Sequence, residues 1–229
     1  VKAFLLAAGV GSRLRPITDT TPKCMLPVGG RPLLEIWLDA FDQAGVDEVL
    51  VNLHHLPDVV RSYLAGRTGR PRVRTTYEPE LLGSAGTLAA NRKWVAGEDF
   101  FLACNADNLT DFDLRSLIKV QREYGATATL GVFRSPNPSA GGVVEADEGG
   151  TVTGFTEKPG NPVSDLVNAG LYAFRPSLLD EIGQPPKDIG YDLLPGLVGR
   201  ARVVLVDGYF RDIGTPDAYR LACEEWPPR

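Results

Sequence analysis

The chain has 229 residues, 43% of them hydrophobic and 23% charged, with a formal net charge of −5. That composition supports an ordinary buried core and excludes disorder; the acidic balance excludes a general nucleic-acid binder, which needs a basic face. The length fits one large α/β domain better than two small ones, because no linker composition interrupts it.

The start, "VKAFLLAAG", joins a lysine to a short apolar run. The run is too short for a signal peptide and passes directly into a glycine loop, so it reads as a strand. "PLLEIWLDAFDQAG" has apolar residues at helical spacing, proline at its start and glycine at its end. "DEVLVNL" reads as a strand, "PDVVRSYLAG" as a helix, "RVRTTYE" as a strand, "SAGTLAANRKWV" as a helix and "DFFLACNA" as a strand. "DLRSLIKVQREYG" then predicts a helix and "ATATLGVF" a strand. This β-α-β order predicts a mainly parallel sheet with helices on both faces.

From about residue 140 the rhythm changes. "GGVVEAD", "TVTGFTEK" and "LVNAGLYAF" are short strands broken by Gly, Pro, Asn and Asp, which predicts an antiparallel insertion. A helix near "SLLDEI", a strand "ARVVLVD" and a final helix "TPDAYRLACEEW" follow. No apolar run reaches the length of a membrane span. The three cysteines, Cys24, Cys104 and Cys223, are odd in number and lack CxxC spacing. Neither a disulfide nor a zinc site is expected, and a reducing cytoplasm fits best. Cys24 and Cys104 read as small buried hydrophobes rather than nucleophiles. His54 and His55 are adjacent, without helical metal-ligand spacing, and read as ordinary histidines.

In an open α/β sheet, ligands bind beyond the carboxyl ends of the strands, so the loop after the first strand is the place to look. Gly9 and Gly11 permit φ > 0 and close approach of backbone N–H groups to a ligand. With Arg13, Arg15 and Lys23 they would make a nest for several negative charges, and a triphosphate is the economical occupant. The dinucleotide fingerprint GxGxxG fails at Leu14, and the Walker pattern is absent. A bare GxG also fits a tight turn with nothing bound, and exposed cations are usually just solvated.

The whole string "LAAGVGSRLRPITDTTPKCMLPVGGRPLLE" resembles the signature of the sugar-phosphate nucleotidylyltransferases, also called nucleotide-sugar pyrophosphorylases. That signature is approximately L-A-x-G-x-G-[ST]-R-[LM]-x-P-[LI]-T, then P-K-x-[LM]-x-P-[VI], then P-[LI] opening a helix. The departure is Cys24, where proline is common, and it is expected to alter packing rather than chemistry. "LLGSAGTL", "CNADNLTDFD", "FTEKPGNP", "VNAGLYAF" and "GYFRDIGTPDAY" extend the likeness along nearly the full chain. The resemblance implies a Rossmann-like, mainly parallel sheet with helices on both faces and a small antiparallel sugar-binding insertion. It implies one nucleotidyltransferase domain over residues 1–229, with a nucleotide-binding half (1–135) and a sugar-phosphate half with a closing helix (136–229). No added β-helix or acyltransferase domain is expected.

The implied reaction is NTP plus sugar 1-phosphate giving NDP-sugar and pyrophosphate. Both reactants are anions, so positioning and electrostatic stabilisation should dominate. The resemblance assigns Leu6, Ala8, Gly9, Gly11, Ser12 and Arg13 to the nucleotide, with Arg13 on the leaving phosphates and Lys23 holding the reacting ones. Arg15 reads equally as solvated or ion-paired. Gly83 and Gly86 should let the base lie against the backbone, while Ser84 is a helix cap or a contact. Asp107 and Asp212 should hold Mg²⁺, which takes oxygen ligands and keeps waters; alone, either aspartate fits a turn or cap. Asp111 and Asp113 read as turn and cap of the next helix, and Thr215 as cap of the last. Gly142, Glu157, Lys158, Asn168 and Gly170 should face the sugar 1-phosphate, with Lys158 on its phosphate and Glu157 on its hydroxyls.

"KCMLPVGGRPLLEIWL", "LLGSAGTL" and "ADNLT" look most like the short group labelled mannose 1-phosphate guanylyltransferase. The expected pair is GTP with mannose 1-phosphate or a manno-configured heptose 1-phosphate, against UTP or dTTP with glucose 1-phosphate. From other classes, the alternatives are an NDP-sugar-dependent glycosyltransferase and a non-catalytic nucleotide-sugar-binding regulator. The first has no leaving pyrophosphate for Arg13 and Lys23 to bind; the second should lack one of Arg13, Lys23, Asp107 or Asp212. Expected partners are the two substrates, with no nucleic acid and no membrane, in a monomer or homodimer.

Overall fold

The computed structural model describes residues 1–226. The chain divides into two compact units. The first takes Val1–Leu81, Cys104–Phe112 and residues 208–226; the second takes Leu82–Ala103 and Asp113–Asp207.

In the first unit, the strand Lys2–Leu6 buries Ala3, Phe4 and Leu5 completely. It pairs in parallel with Glu48–Leu53, which pairs in parallel with Arg72–Tyr77. Runs buried on both faces read as continuous apolar stretches, and the first two strands do. Among the described residues the third has only one strand neighbour, and it carries charge, with Arg72 and Arg74 2.8 and 3.1 Å from the Glu48 carboxylate. The helix Leu33–Gln43 buries Leu33, Leu34, Trp37, Leu38 and Phe41, one stripe at helical spacing. Trp37 Nε1 donates to the Asn108 carbonyl at 2.9 Å, which ties this helix to the strand Asn108–Thr110. That strand pairs antiparallel with Phe210–Asp212. The helix Pro216–Glu225 follows, capped by Thr215 Oγ1, which accepts from Ala218 N at 3.3 Å.

A buried polar network fixes where the first strand ends. Ala7 N donates to Asn52 Oδ1 at 2.7 Å, and Asn52 Nδ2 donates to Glu78 Oε1 at 2.9 Å. Asn52 and Glu78 are 4% and 3% exposed, so these bonds stand in for lost water. His54 Nδ1 lies 2.8 Å from the Glu78 carbonyl and His55 Nε2 2.7 Å from the Thr18 carbonyl. Both histidines thus hold backbone, in line with their sequence reading.

In the second unit, Ala128–Arg134 pairs antiparallel with Leu166–Phe174 and parallel with Ala201–Leu205. Gly142–Ala146 pairs antiparallel with Val152–Glu157. The helix Leu114–Tyr124 is capped by Asp113, whose side chain accepts from Arg115 N, and ends at Gly125 with φ 55°. The α/β class and the parallel first strands match the expectation, but antiparallel pairing already involves Ala128–Arg134, ahead of the change expected at about residue 140.

Three local readings differ. The helix expected over "SAGTLAANRKWV" is two pieces, Ser84–Ala90 and Arg92–Val95. Asn91 separates them and turns its Nδ2 to the Thr87 carbonyl at 2.9 Å, the backbone competition that makes Asn a poor helix interior residue. "SLLDEI" lies in a 3₁₀ segment, Pro176–Glu181, rather than an α-helix. A π-helical turn, Ile189–Leu193, and the short strands Pro27–Val28, Arg31–Pro32, Asn108–Thr110 and Phe210–Asp212 carry no periodicity long enough to read.

Asn52→Ala is expected to destabilise the protein by about 2 kcal/mol, because it strips a partly buried amide and a buried carboxylate of a partner. Urea unfolding checks this; a loss below about 0.5 kcal/mol, the level of a neutral surface change, would show that the network does not hold the strand end.

Candidate active site

The loop from residue 7 to residue 32 leaves the first strand and is pinned by its own side chains. Leu14, Cys24 and Leu26 are buried, with 0 to 1% exposure. Burial pushes the Cys24 thiol up to about 12, so it packs as the small hydrophobe expected and is no thiolate. Gly11 has φ 67°, and a Cβ there would meet Thr18 Cγ2 at 2.9 Å. Thr18 Oγ1 in turn donates to the Gly11 carbonyl at 2.8 Å. Gly9 lies outside the left-handed region, contrary to the expectation for both glycines, and a Cβ there would meet nothing within 4 Å. Neither backbone conformation nor steric room therefore requires glycine at this position.

Lys23 is nearly buried, with its side chain 9% exposed. Its Nζ lies 2.7 Å from Asp107 Oδ2 and 3.6 Å from Asp212 Oδ1. The two aspartates come from distant parts of the chain and are brought together by backbone. Asp212 stands opposite Asn108 in the short ladder, and Ile213 N donates to the Asp107 carbonyl at 3.0 Å. Both carboxylates stay partly open, at 39% and 55% exposure.

Gly214 is the residue that the sequence reading passed over. A Cβ there would lie 2.8 Å from Arg13 Nη2, 2.8 Å from Asp212 Oδ1 and 3.2 Å from Lys23 Nζ. Three charged side chains share the space that one methyl would take, and Gly214 N donates to Asp212 Oδ1 at 2.7 Å. The signal was present as the glycine after "DI" in "RDIGTP". Arg13 is exposed and has no ion pair among the described residues, whereas Arg15 pairs with Asp19 at 3.2 Å.

The donor set fits a hard divalent cation. Two carboxylates meet at one cationic point and retain open faces for phosphate oxygens and water. No group of three or more His, Cys, Asp or Glu side chains forms a fuller ligand set among the described residues.

The second unit holds the remaining candidates. Gly83 has φ 76°, and a Cβ there would fall 2.2 Å from the Lys187 carbonyl oxygen, so close backbone packing alone requires glycine. Ala85 N and Gly86 N both donate to that carbonyl, at 2.9 and 3.1 Å. Ser84 makes no cap; its Oγ donates to Asp188 Oδ2 at 2.8 Å and accepts from Ile189 N at 2.8 Å. Asn168 and Gly170 lie where the pairing register shifts, with Gly170 at φ 67°. Asn168 Oδ1 accepts from Gly170 N at 3.1 Å and its Nδ2 donates to Tyr172 Oη at 2.7 Å.

Glu157 stands opposite Gly142 in the register of its strand pair. Its carboxylate is half-buried and takes no hydrogen bond among the described residues. Burial raises its pKa; the Lys158 charge opposes that and the Asp188 charge adds to it. Lys158 is exposed and sits at φ 47°, a left-handed conformation uncommon for a side-chain-bearing residue and enriched at functional sites. A half-buried acceptor without a donor beside an exposed ammonium suits a ligand that brings both hydroxyls and negative charge.

The family model described as nucleotidyl transferase matches residues 2–226. The chain is 33% identical over 227 residues to a rice (Oryza sativa subsp. japonica) protein named probable mannose-1-phosphate guanylyltransferase 3, covering 96% of this chain and 63% of that one. It is 35% identical over 240 residues to a UTP–glucose-1-phosphate uridylyltransferase of Synechocystis sp., covering 96% and 62%. The chain thus spans about three-fifths of the length of these relatives. In fold it is similar to a solved structure described as a putative glucose-1-phosphate thymidylyltransferase from Bacillus anthracis in complex with a sucrose, with a TM-score of 0.83, 23% identity and coverage of 97% and 94%.

A raised folded-state pKa means that ionising Glu157 costs stability: its contribution is complete below the unfolded value and is lost as pH rises through the folded one. Glu157→Gln, neutral throughout, is therefore expected to melt higher than the wild type at pH 7 and together with it near about pH 4. Thermal unfolding at both pH values checks this, and a gap that persists at low pH would point to packing instead.

Proposed function

The chain belongs to the nucleotidyl transferase family, and on that premise we propose that it transfers a nucleotidyl group from an NTP to a sugar 1-phosphate. The observation that carries this reading is the meeting of Lys23, Asp107 and Asp212 beside the unpaired Arg13. The sugar phosphate oxygen attacks the α-phosphorus, the bond to the bridging oxygen breaks, and pyrophosphate leaves with that oxygen. No protein nucleophile is required.

Arg13 binds the leaving phosphates as a planar, permanently charged fork, and the space left by Gly214 keeps it free to do so. Lys23 holds the reacting phosphates as a point charge. Asp107 and Asp212 would hold Mg²⁺, which when bound offsets the negative charge gathered on the phosphates. Leu6, Ala8, Gly11 and Ser12 shape the loop against the nucleotide. Gly83 and Gly86 keep the chain compact where the base would lie, although the Ala85 and Gly86 amides are already bonded to Lys187. Lys158 takes the sugar phosphate, and Glu157, with Gly142, Asn168 and Gly170 around it, takes sugar hydroxyls.

The pair we propose is GTP with mannose 1-phosphate, supported by the name of the rice relative. UTP with glucose 1-phosphate is the second reading, supported by the name of the Synechocystis relative. No helix among the described residues is long and apolar enough to cross a membrane.

Pyrophosphate release across five NTPs and a panel of sugar 1-phosphates with Mg²⁺ tests the reaction and the pair together. Release with GTP and mannose 1-phosphate is expected to exceed every other combination; release with no pair at all would sink the reaction class. Asp107→Asn and Asp212→Asn should each lower turnover by about two orders of magnitude or more with the fold intact, and EDTA should abolish it. Arg13→Ala should raise the apparent KM for the NTP, and Lys158→Ala that for the sugar 1-phosphate, each about tenfold or more for a lost charge-assisted contact. Equal defects toward both substrates in both variants would refute the division of roles.

A further inference from the structure

The second unit contains a feature that neither the family signature nor the proposed roles account for. A Cβ on Gly142 would lie 2.6 Å from Glu157 Oε2, and a Cβ on Gly190 would also lie 2.6 Å from that oxygen. The Glu157 carboxylate therefore occupies the space that a side chain at either glycine would take. Both are buried, and neither has a left-handed backbone. Their lack of a side chain answers a need for space, not for conformation.

The two glycines are not equivalent. Gly142 faces Glu157 across the strand pair, and a Cβ there would also strike the Phe155 ring at 2.6 Å. Aromatic packing alone would keep that position small. Gly190 approaches from the π-helical turn Ile189–Leu193, and the nearest atoms to its absent side chain are Glu157 Oε2, Glu157 Cδ at 3.0 Å and Asp188 Oδ1 at 3.2 Å. Asp188 is immobilised: Oδ1 accepts from Tyr191 N at 3.1 Å and Oδ2 from Ser84 Oγ at 2.8 Å. The turn that carries Gly190 is thereby fixed in place. π-Helical turns concentrate at functional sites, and the group this one clamps is the half-buried carboxylate that lacks a hydrogen-bond donor.

We propose that Gly190 is a positioning residue for sugar binding: by leaving its side-chain space to the Glu157 carboxylate, it fixes that carboxylate to accept from vicinal hydroxyls of the sugar 1-phosphate. This rests on the reaction proposed above and adds to it the element that aims the acceptor. The geometry commits one carboxylate oxygen, Oε2, to that space. Glu157 accepts hydroxyls through its remaining open lone pairs, in an orientation set by the turn. Gly190 itself touches no reactant in this scheme.

The test is a double-mutant cycle of Gly190→Ala and Glu157→Ala, read by melting and by kinetics. Gly190→Ala alone should lower the melting temperature and raise the KM for the sugar 1-phosphate about tenfold, the loss of one charge-assisted contact, with the KM for the NTP unchanged within about twofold. In the Glu157→Ala background the obstructing carboxylate is gone. There Gly190→Ala should cost no further stability and no further KM. If the single variant fails to fold, the double variant should fold. A double variant that also fails to fold, or a melting loss of equal size in both backgrounds, would overturn the clamp. Equal rises in both KM values would overturn the sugar role. A wild-type chain that turns over no NTP and sugar 1-phosphate pair would defeat the proposed reaction and the sugar role with it, while the melting cycle still decides the clamp.

Discussion

An ammonium cannot stay out of water without a carboxylate to meet it, and the first unit is arranged around that requirement at Lys23. The desolvation of a nearly buried Lys23 is offset by Asp107 at 2.7 Å and Asp212 at 3.6 Å. To supply those two groups, segments 104–112 and 208–226 must return to the unit that holds the first strand, where one short antiparallel ladder joins them to each other and Ala106 N donates to the Leu6 carbonyl at 3.0 Å. The loop that carries Lys23 is in turn held by Leu14, Cys24 and Leu26 beneath it. Charge, backbone pairing and apolar packing thus specify one position from three directions. Such agreement between levels is what gives a sequence a single structure.

Much of this was legible in the residues. The strand Lys2–Leu6, the stripe of the helix Leu33–Gln43 and the caps Asp113 and Thr215 follow from period and end signals of adequate length. The pairing of Asp107 with Asp212 is different. Nothing in the local pattern at either position announces a partner about a hundred residues away, and only the likeness to a family motif joined them. The three-residue strands that unite them are too short to show alternation.

Glycines mark the sharper boundary of what sequence shows. Gly9 and Gly11 look alike in "GVGSR", yet only Gly11 needs a left-handed backbone. Gly83 invited a functional reading and has a sufficient structural reason in the Lys187 carbonyl. Gly190 and Gly214 invited none and lie against the charged groups of the two units. A glycine states only that something is absent; what fills the space is set by chain segments far away in sequence. That information is tertiary, and no spacing rule carries it.

The strand Arg72–Tyr77 ends the parallel row of the first unit, where an open ladder could recruit another chain. Arg72 and Arg74 are 74% and 64% exposed along it, and both reach the Glu48 carboxylate. Two molecules meeting edge to edge would bring these charges together at the spacing of neighbouring strands. Repulsion at that distance would make growth of the row into a fibre unfavourable, a barrier raised along this border of the sheet by two side chains.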